Sequence, residues 1–211
     1  SRVTFSQVST EGITGITAKD IQYARDFGYV IKLLGIAKKE EDGIEVKVHP
    51  MLVPEDHPLA SVRSSFNAVF VRGDACDEAM FMGRGAGKMP TASAVMGDVI
   101  DVMGNLVHGC CGRMGCTCYK NIPVKEEGST MSKYFLRVQV SDRPGALANI
   151  AGVLGNNNVS IAQVYQKRSE NGVAELVIIT DRVMERNFND SLTVIQGMTA
   201  MKEVSSVIRV Y

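Results

Sequence analysis

The sequence predicts an α+β protein: a mostly antiparallel sheet with helices on one side, followed by a ferredoxin-like βαββαβ unit. Three observations carry that prediction. After residue 133, period-two and period-3.6 apolar patterns alternate in the order strand, helix, strand, strand, helix, strand. Before residue 90, strand-like runs flank polar turns at Lys39-Glu40-Glu41-Asp42-Gly43 and Gly73-Asp74. Around residues 105–132, Gly104, Gly109, Gly112, Gly115, Pro123 and Gly128 interrupt any periodicity and lead into the polar run Lys125-Glu126-Glu127-Gly128-Ser129-Thr130. The chain therefore divides into residues 1–107, a linker over 108–132, and a compact unit over 133–211.

In chain order, Thr17-Ala18-Lys19-Asp20 is a capping-box start and Gly28 terminates the short helix it opens. Tyr29 to Ala37 and Ile44 to Val53 are two strands, and Ser65 to Arg72 with Glu78 to Met82 are a further pair. Pro90-Thr91-Ala92 opens a helix that carries Val95, Val99, Val102 and Leu106. In the second unit, Tyr134, Leu136, Val138 and Val140 alternate with Phe135, Arg137 and Gln139, the signature of a strand. Asp142-Arg143-Pro144-Gly145 turns the chain into a helix with Leu147, Ile150, Ala151 and Leu154 on one face, fraying at Gly155-Asn156-Asn157-Asn158. Val159 to Arg168 is a strand, Glu170-Asn171-Gly172 a hairpin turn and Val173 to Thr180 the next strand. Phe188, Leu192 and Ile195 mark a second helical face, and Val204 to Tyr211 the closing strand.

Composition narrows the function. Of 211 residues, 45% are hydrophobic and 22% charged, which is enough apolar material for a real core. Lys+Arg and Asp+Glu number 23 each, so no basic surplus exists to neutralise a phosphate backbone, and nucleic acid is not an expected partner. The longest apolar runs, such as Val177-Ile178-Ile179, fall far below the roughly 18 residues of a membrane span, so no membrane partner is expected either. Five cysteines, an odd number without an export signal, fit a reducing cytoplasm. The first residues, Ser1-Arg2-Val3-Thr4, lack an initiator Met and read as a chain cut from something longer.

Four groups of residues are candidates for chemistry. Gly83-Arg84-Gly85-Ala86-Gly87 lies between a strand and a helix start, where small residues and free N–H groups suit an anion; its GxGxG spacing equally suits a tight structural loop. Cys110, Cys111, Cys116 and Cys118 lie near His108, but CC and CxC are not the spacings of a closed zinc site, and no metal is expected; a thiol or zinc protein acting through Cys110 to Cys118 is the remaining reading of this cluster. His49, His57 and His108 show no ligand or triad pattern; His57 is placed to orient its loop through Asp56. Finally, Asp142 and the turn around Gly145, Ala146 and Leu147, together with Asn158-Val159-Ser160-Ile161, are expected to meet at one end of the sheet. There Asp142 would take an ammonium group and backbone N–H groups a carboxylate, as a free amino acid requires. The alternative role of Asp142 is to cap the helix.

At these residues the chain resembles known families. Residues 133–211 look like an ACT domain, a regulatory amino-acid-binding module, through Ser141-Asp142-Arg143-Pro144-Gly145-Ala146-Leu147 and Asn158-Val159-Ser160-Ile161. Residues 1 to about 107 resemble the C-terminal part of the homoserine dehydrogenase catalytic region. The matching stretches are Glu11-Gly12-Ile13 through Ala37, Pro50 through Ala60, Phe66-Asn67-Ala68-Val69, and Gly83-Arg84-Gly85-Ala86-Gly87 through Val95.

The resemblance implies an NAD(P)-dependent oxidoreductase interconverting L-aspartate 4-semialdehyde and L-homoserine in threonine, methionine and isoleucine biosynthesis. In the family, a Rossmann nucleotide domain and a segment bearing the catalytic glutamate, aspartate and lysine precede the part that this chain resembles. No catalytic residue is therefore expected here, and Asp20 and Lys32 do not inherit those roles. Gly85, Ala86, Gly87 and Thr91 carry over as cofactor contacts, with NADP or NAD belonging to the full-length enzyme and not held tightly by this chain. Asp142, Gly145, Ala146, Leu147, Ser160 and Ile161 carry over as an effector site, with threonine the expected feedback inhibitor. Val140 and Ser160 stand where some amino-acid-binding ACT domains have His and Asn. The resemblance further implies a homo-oligomer, dimer or tetramer. The alternative is a stand-alone amino-acid sensor whose N-terminal sheet only oligomerises.

Overall fold

A computed structural model describes residues 1–110, 118–166 and 171–211. Strands are β1 (Ser9–Thr10), β2 (Tyr29–Lys39), β3 (Ile44–Pro54), β4 (Phe66–Gly73), β5 (Asp77–Arg84), β6 (Met131–Ser141), β7 (Ile161–Gln166), β8 (Val173–Thr180), β9 (Val183–Met184) and β10 (Met201–Val210). Helices are α1 (Ala18–Asp26), α2 (Lys88–Val107), α3 (Ala146–Asn156) and α4 (Glu185–Gln196). The α+β class and the βαββαβ order are as expected. Several boundaries differ: α2 begins at Lys88, so Pro90 occupies its third position, β7 begins at Ile161, β10 already begins at Met201, and β2 and β5 run on to Lys39 and Arg84. The expected continuation of that strand to Arg168, and Glu170 of the hairpin turn, lie outside the described residues.

The chain forms two compact units, one of Arg2–Pro54 with Asn121–Tyr211 and one of Ser1 with Glu55–Lys120. The first is built on one sheet in the order β1-β3-β10-β6-β8-β7, with β2 on the other edge of β3 and β9 against β6. Strands β10, β6, β8 and β7 are each antiparallel to their neighbours, the arrangement of a ferredoxin-like unit. The N-terminal hairpin β2–β3, paired from Tyr29↔Pro54 to Lys39↔Ile44, extends this sheet because β3 runs parallel to β10 through Arg209↔Met51 and Val210↔Leu52. Strands β1 to β3, from residues 9–54, thus share one sheet with the strands of residues 131–210.

Side chains of β6 alternate between two cores, as the pleat requires. Tyr134, Leu136, Val138 and Val140 face Ile150 and Leu154 of α3 and Phe188 and Ile195 of α4. Phe135, with Val177, Ile179, Ile208 and Leu52, faces Tyr23 and Ala24 of α1 on the opposite side. The start of α1 is fixed as expected, with Thr17 Oγ1 accepting from the Asp20 N–H and Asp20 Oδ2 accepting from the Thr17 N–H at 2.8 Å. Gly28, at φ +76°, takes the left-handed turn that ends it. The position that alternation marks as polar, Arg137, is consequently buried under α1, where its Nε donates to Asp20 Oδ1 at 2.9 Å.

In the second unit, β4 and β5 form an antiparallel hairpin from Phe66↔Arg84 to Gly73↔Asp77. His57 orients its loop through the backbone of Leu59. Its Nδ1 accepts from the Leu59 N–H at 3.2 Å, capping a short turn, and its ring lies edge-on to Phe70 at 4.8 Å.

Candidate functional site

The glycine loop is shaped by local sterics. Gly85 donates its N–H to the Ser65 carbonyl at 2.8 Å, and a Cβ there would stand 2.0 Å from Asn67 Nδ2. Gly87 sits at φ +128° as the residue preceding α2, a backbone that side-chain-bearing residues rarely adopt. Thr91 returns its N–H to the Gly87 carbonyl at 3.0 Å. Because Pro90 has no N–H, the first turn of α2 offers Lys88 and Met89 as donors and no third. Gly85, Ala86, Gly87 and Thr91 are all exposed.

The helix that the loop opens is unusual. Helix α2 has twenty residues and none is buried. Val95, Met96, Val99, Ile100, Val102, Met103, Leu106 and Val107 form a broad apolar stripe, each between 41% and 81% exposed. An amphipathic helix gains most of its stability by burying such a stripe. On the neighbouring hairpin, the cross-strand pair Val69 and Phe81 is likewise 62% and 68% exposed.

The turn between β6 and α3 lines a cavity of about 410 Å³. Asp142, Gly145, Ala146 and Leu147 are in its wall. Asp142 does not cap α3: the residue before the helix is Gly145, in a left-handed conformation, with no side-chain cap. The Asp142 carboxylate is therefore not spent on the helix. The Ala146 N–H is already committed to the Arg143 carbonyl at 3.2 Å, so a carboxylate entering this turn would meet the N–H groups of Gly145 and Leu147.

Ser160 and Ile161 are not in this cavity, which corrects the expectation that the two motifs meet. Asp142 lies beside the start of β8, its N–H on the Gly172 carbonyl, whereas the Ser160 carbonyl accepts from Asp181 just past the end of β8. The two motifs occupy opposite ends of the same strand. The residue that β7 does bring to the cavity is Gln166, paired in register with Leu176. The motifs do not include Gln166, although counting strand register from the 171–172 turn leads to it.

A third polar group joins β1, β3 and β10. Ser9 Oγ lies 2.9 Å from His49 Nε2, and His49 Nδ1 lies 3.6 Å from Glu11 Oε2. The line of serine, histidine and glutamate resembles a nucleophile relay, but its protons run the wrong way. Ser9 has one hydroxyl proton and gives it to Glu127 at 2.6 Å, so His49 must be the donor to Ser9 and cannot serve as its base. Burial, and then the Arg209 charge, push the His49 imidazole below its ordinary pKa against the opposing pull of Glu11 and Glu127. Arg209 binds Glu11 at 2.8 Å, Glu127 at 3.2 Å, and Glu185. This is a structural junction tying three strands, the 127–130 segment and α4 together.

His108 donates from Nδ1 to the Gly104 carbonyl at 2.8 Å, closing the end of α2. Cys76 and Cys110 are free thiols, these two and Cys118 are exposed, and Cys111 and Cys116 lie outside the described residues. Among the described residues no three His, Cys, Asp or Glu side chains converge as a metal site, and no helix is long and apolar enough to cross a membrane.

The ferredoxin-like sheet, with a cavity at its first strand–helix turn, is the fold of an ACT domain, and residues 134–196 match the ACT domain family. Residues 1–100 match the homoserine dehydrogenase family. The chain is 40% identical to homoserine dehydrogenase of Corynebacterium glutamicum and 38% identical to that of Bacillus subtilis, in each case over 99% of this chain and 48% of the relative. A crystal structure of a homoserine dehydrogenase from Thiobacillus denitrificans superposes with a TM-score of 0.88 at 34% identity, again over 99% of this chain and 48% of that one. The chain belongs to the homoserine dehydrogenase family and spans about half the length of the curated relatives it matches.

Proposed function

We propose that this chain is the C-terminal portion of an NAD(P)-dependent homoserine dehydrogenase, comprising the substrate and dimerisation part of the catalytic region and an ACT domain. The enzyme interconverts L-aspartate 4-semialdehyde and L-homoserine in the cytoplasm, as a homo-oligomer. The observation that carries this reading is the uncovered apolar stripe of α2 directly after the exposed Gly85-Ala86-Gly87 loop. A helix of this composition needs a protein neighbour, and the loop beside it suits the edge of a nucleotide site.

On its own the chain supplies no complete reaction. Hydride transfer needs a pyrophosphate cradle, a group that polarises the carbonyl, and a proton donor within about 3 Å of the reacting oxygen. The residues that fit a cofactor here are the loop and the two donors at Lys88 and Met89, which amount to one wall. When bound, NAD(P)H supplies the hydride; Gly87 keeps the backbone bare enough for close approach beside the Lys88 and Met89 N–H groups.

The ACT cavity is read as the feedback site, with threonine as effector. Asp142 would hold its ammonium group, and the N–H groups of Gly145 and Leu147 its carboxylate. Control then requires that threonine bind two states of the enzyme with different affinity. The test is complementation. Mixing the chain with a separately expressed nucleotide-binding half of a homoserine dehydrogenase should generate NADPH-dependent reduction of aspartate 4-semialdehyde, and threonine should inhibit it. Absence of any gain on mixing, although the halves associate, would overturn the proposal.

A further inference from the structure

We propose that the cavity between β1, β3 and the 124–130 segment binds small zwitterions, specifically α-amino acids, with Lys47 taking the carboxylate and Glu45 the ammonium group. The cavity has a volume of about 320 Å³ and is separate from the one at Asp142. Glu45 and Lys47 stand two residues apart on one face of β3, so the pleat points both into the same space. Their side chains are only 7% and 6% exposed, and they form an ion pair.

A buried ion pair surrounded by apolar side chains costs more in desolvation than it returns unless its remaining hydrogen-bonding capacity is met. This pair is not so surrounded. It forms part of the wall of a space with room for about ten waters at ~30 Å³ each. Of the three Lys47 protons, one is directed to Glu45 and one to Ser132 at 3.2 Å. Glu45 uses Oε1 for Lys47. One ammonium proton and one carboxylate oxygen are thus the groups the pair brings to the cavity.

The lining decides which ligand class they suit. A simple anion would face Glu45, Glu126 and Glu127 across the same cavity, and a simple cation would face Lys47. Lys125 does not alter this balance, because Glu40 holds it at 2.6 Å and Asp42 at 3.0 Å. Nor do the hydroxyls compete: Ser9 donates to Glu127, and Thr130 donates within the 127–185 junction. A molecule with both charges one carbon apart meets both members of the pair without leaving either charge opposed. Val8, Val46 and Val124 give the wall its apolar part, beside Ser6 and Gln7, which favours a small side chain on the ligand.

The experiment is calorimetry on the full chain carrying Asp142→Ala, so that the turn at β6 does not contribute. L-serine is the probe, with propionate and propylamine presenting each charge alone. Expected is one L-serine site per chain with a Kd of about 1 mM or tighter, at least tenfold weaker binding of each single-charge control, and at least tenfold weakening by Lys47→Met. Because Lys47→Met leaves Glu45 unpaired, the neutral pair Glu45→Gln/Lys47→Met serves where the single variant fails to fold, and it should also abolish binding. No L-serine binding in the Asp142→Ala chain overturns the proposal. Equal binding of propionate or propylamine, or binding indifferent to the Lys47 and double variants, overturns it as well.

Discussion

Replacing Asp20 by alanine should remove about 3 to 5 kcal/mol of stability, most of it through Arg137. The Asp20 side chain is fully buried and the Arg137 side chain is 5% exposed, so alanine leaves a guanidinium charge under α1. Glu175, at 3.8 Å from Arg137, offsets part of that cost, while loss of the Thr17–Asp20 cap adds about 1 kcal/mol. Asp20→Asn retains the shape and an acceptor for Thr17 and should cost less, about 2 kcal/mol. The pH dependence separates charge from shape. Burial works to raise the Asp20 pKa, but hydrogen bonds from Thr17 and Arg137 together outweigh it and hold the group below its ordinary value. A carboxyl lowered on folding stabilises fully above its unfolded pKa of about 3.9 and loses that contribution as pH falls through the folded value. Urea denaturation followed by circular dichroism, repeated between neutral and acid pH, reads both effects. The Asp20→Asn chain should lack the acid-side loss that the parent shows below about pH 4. In a double-mutant cycle, Arg137→Met should recover at least half of the Asp20→Ala deficit. A deficit under about 1 kcal/mol for Asp20→Ala would refute the reasoning, since it would place the pair in a solvent-screened setting.

The His49 junction should make stability fall earlier than the carboxylates do. Its pKa is depressed in the folded chain, so stability is full above the unfolded value of about 6.5 and declines as pH drops below it; His49→Gln should flatten that slope in urea titrations. Phe135 is fully buried against α1 on the sheet face opposite α3 and α4, and Phe135→Ala should cost about 3 to 5 kcal/mol by the same assay. Gly87→Ala forces a side chain onto φ +128° and should destabilise its unit by about 1 to 3 kcal/mol, seen as earlier amide exchange in α2 with β6 and β8 unchanged.

Much of this fold was legible because local chemistry specifies it. The Thr17–Asp20 box, the left-handed Gly28 and the alternation from Tyr134 to Val140 each act within a few residues, and each formed where expected. The shared sheet was not legible. It depends on Arg209 and Val210 lying beside Met51 and Leu52, a parallel pairing some 158 residues apart in the chain that leaves no local mark. That pairing also explains Arg137, which reads as the solvent side of an alternating strand and becomes buried only because α1 arrives on that face. Ser160 shows the reverse failure. A motif placed it in the effector cavity, whereas strand register places it at the far end of β8, and the same register brings Gln166 to the cavity instead. Nothing local in the sequence marks the Glu45–Lys47 pair, which is buried where β1 and the 124–130 segment close around it.

The central claim is that the chain holds one wall of a dehydrogenase site and cannot run the reaction unaided. Its most direct test is the rate of NADPH oxidation by the purified chain alone with aspartate 4-semialdehyde at saturating concentration. The rate should equal that of the mixture without protein. Sustained protein-dependent turnover, proportional to chain concentration and reduced by Gly87→Ala, would contradict it.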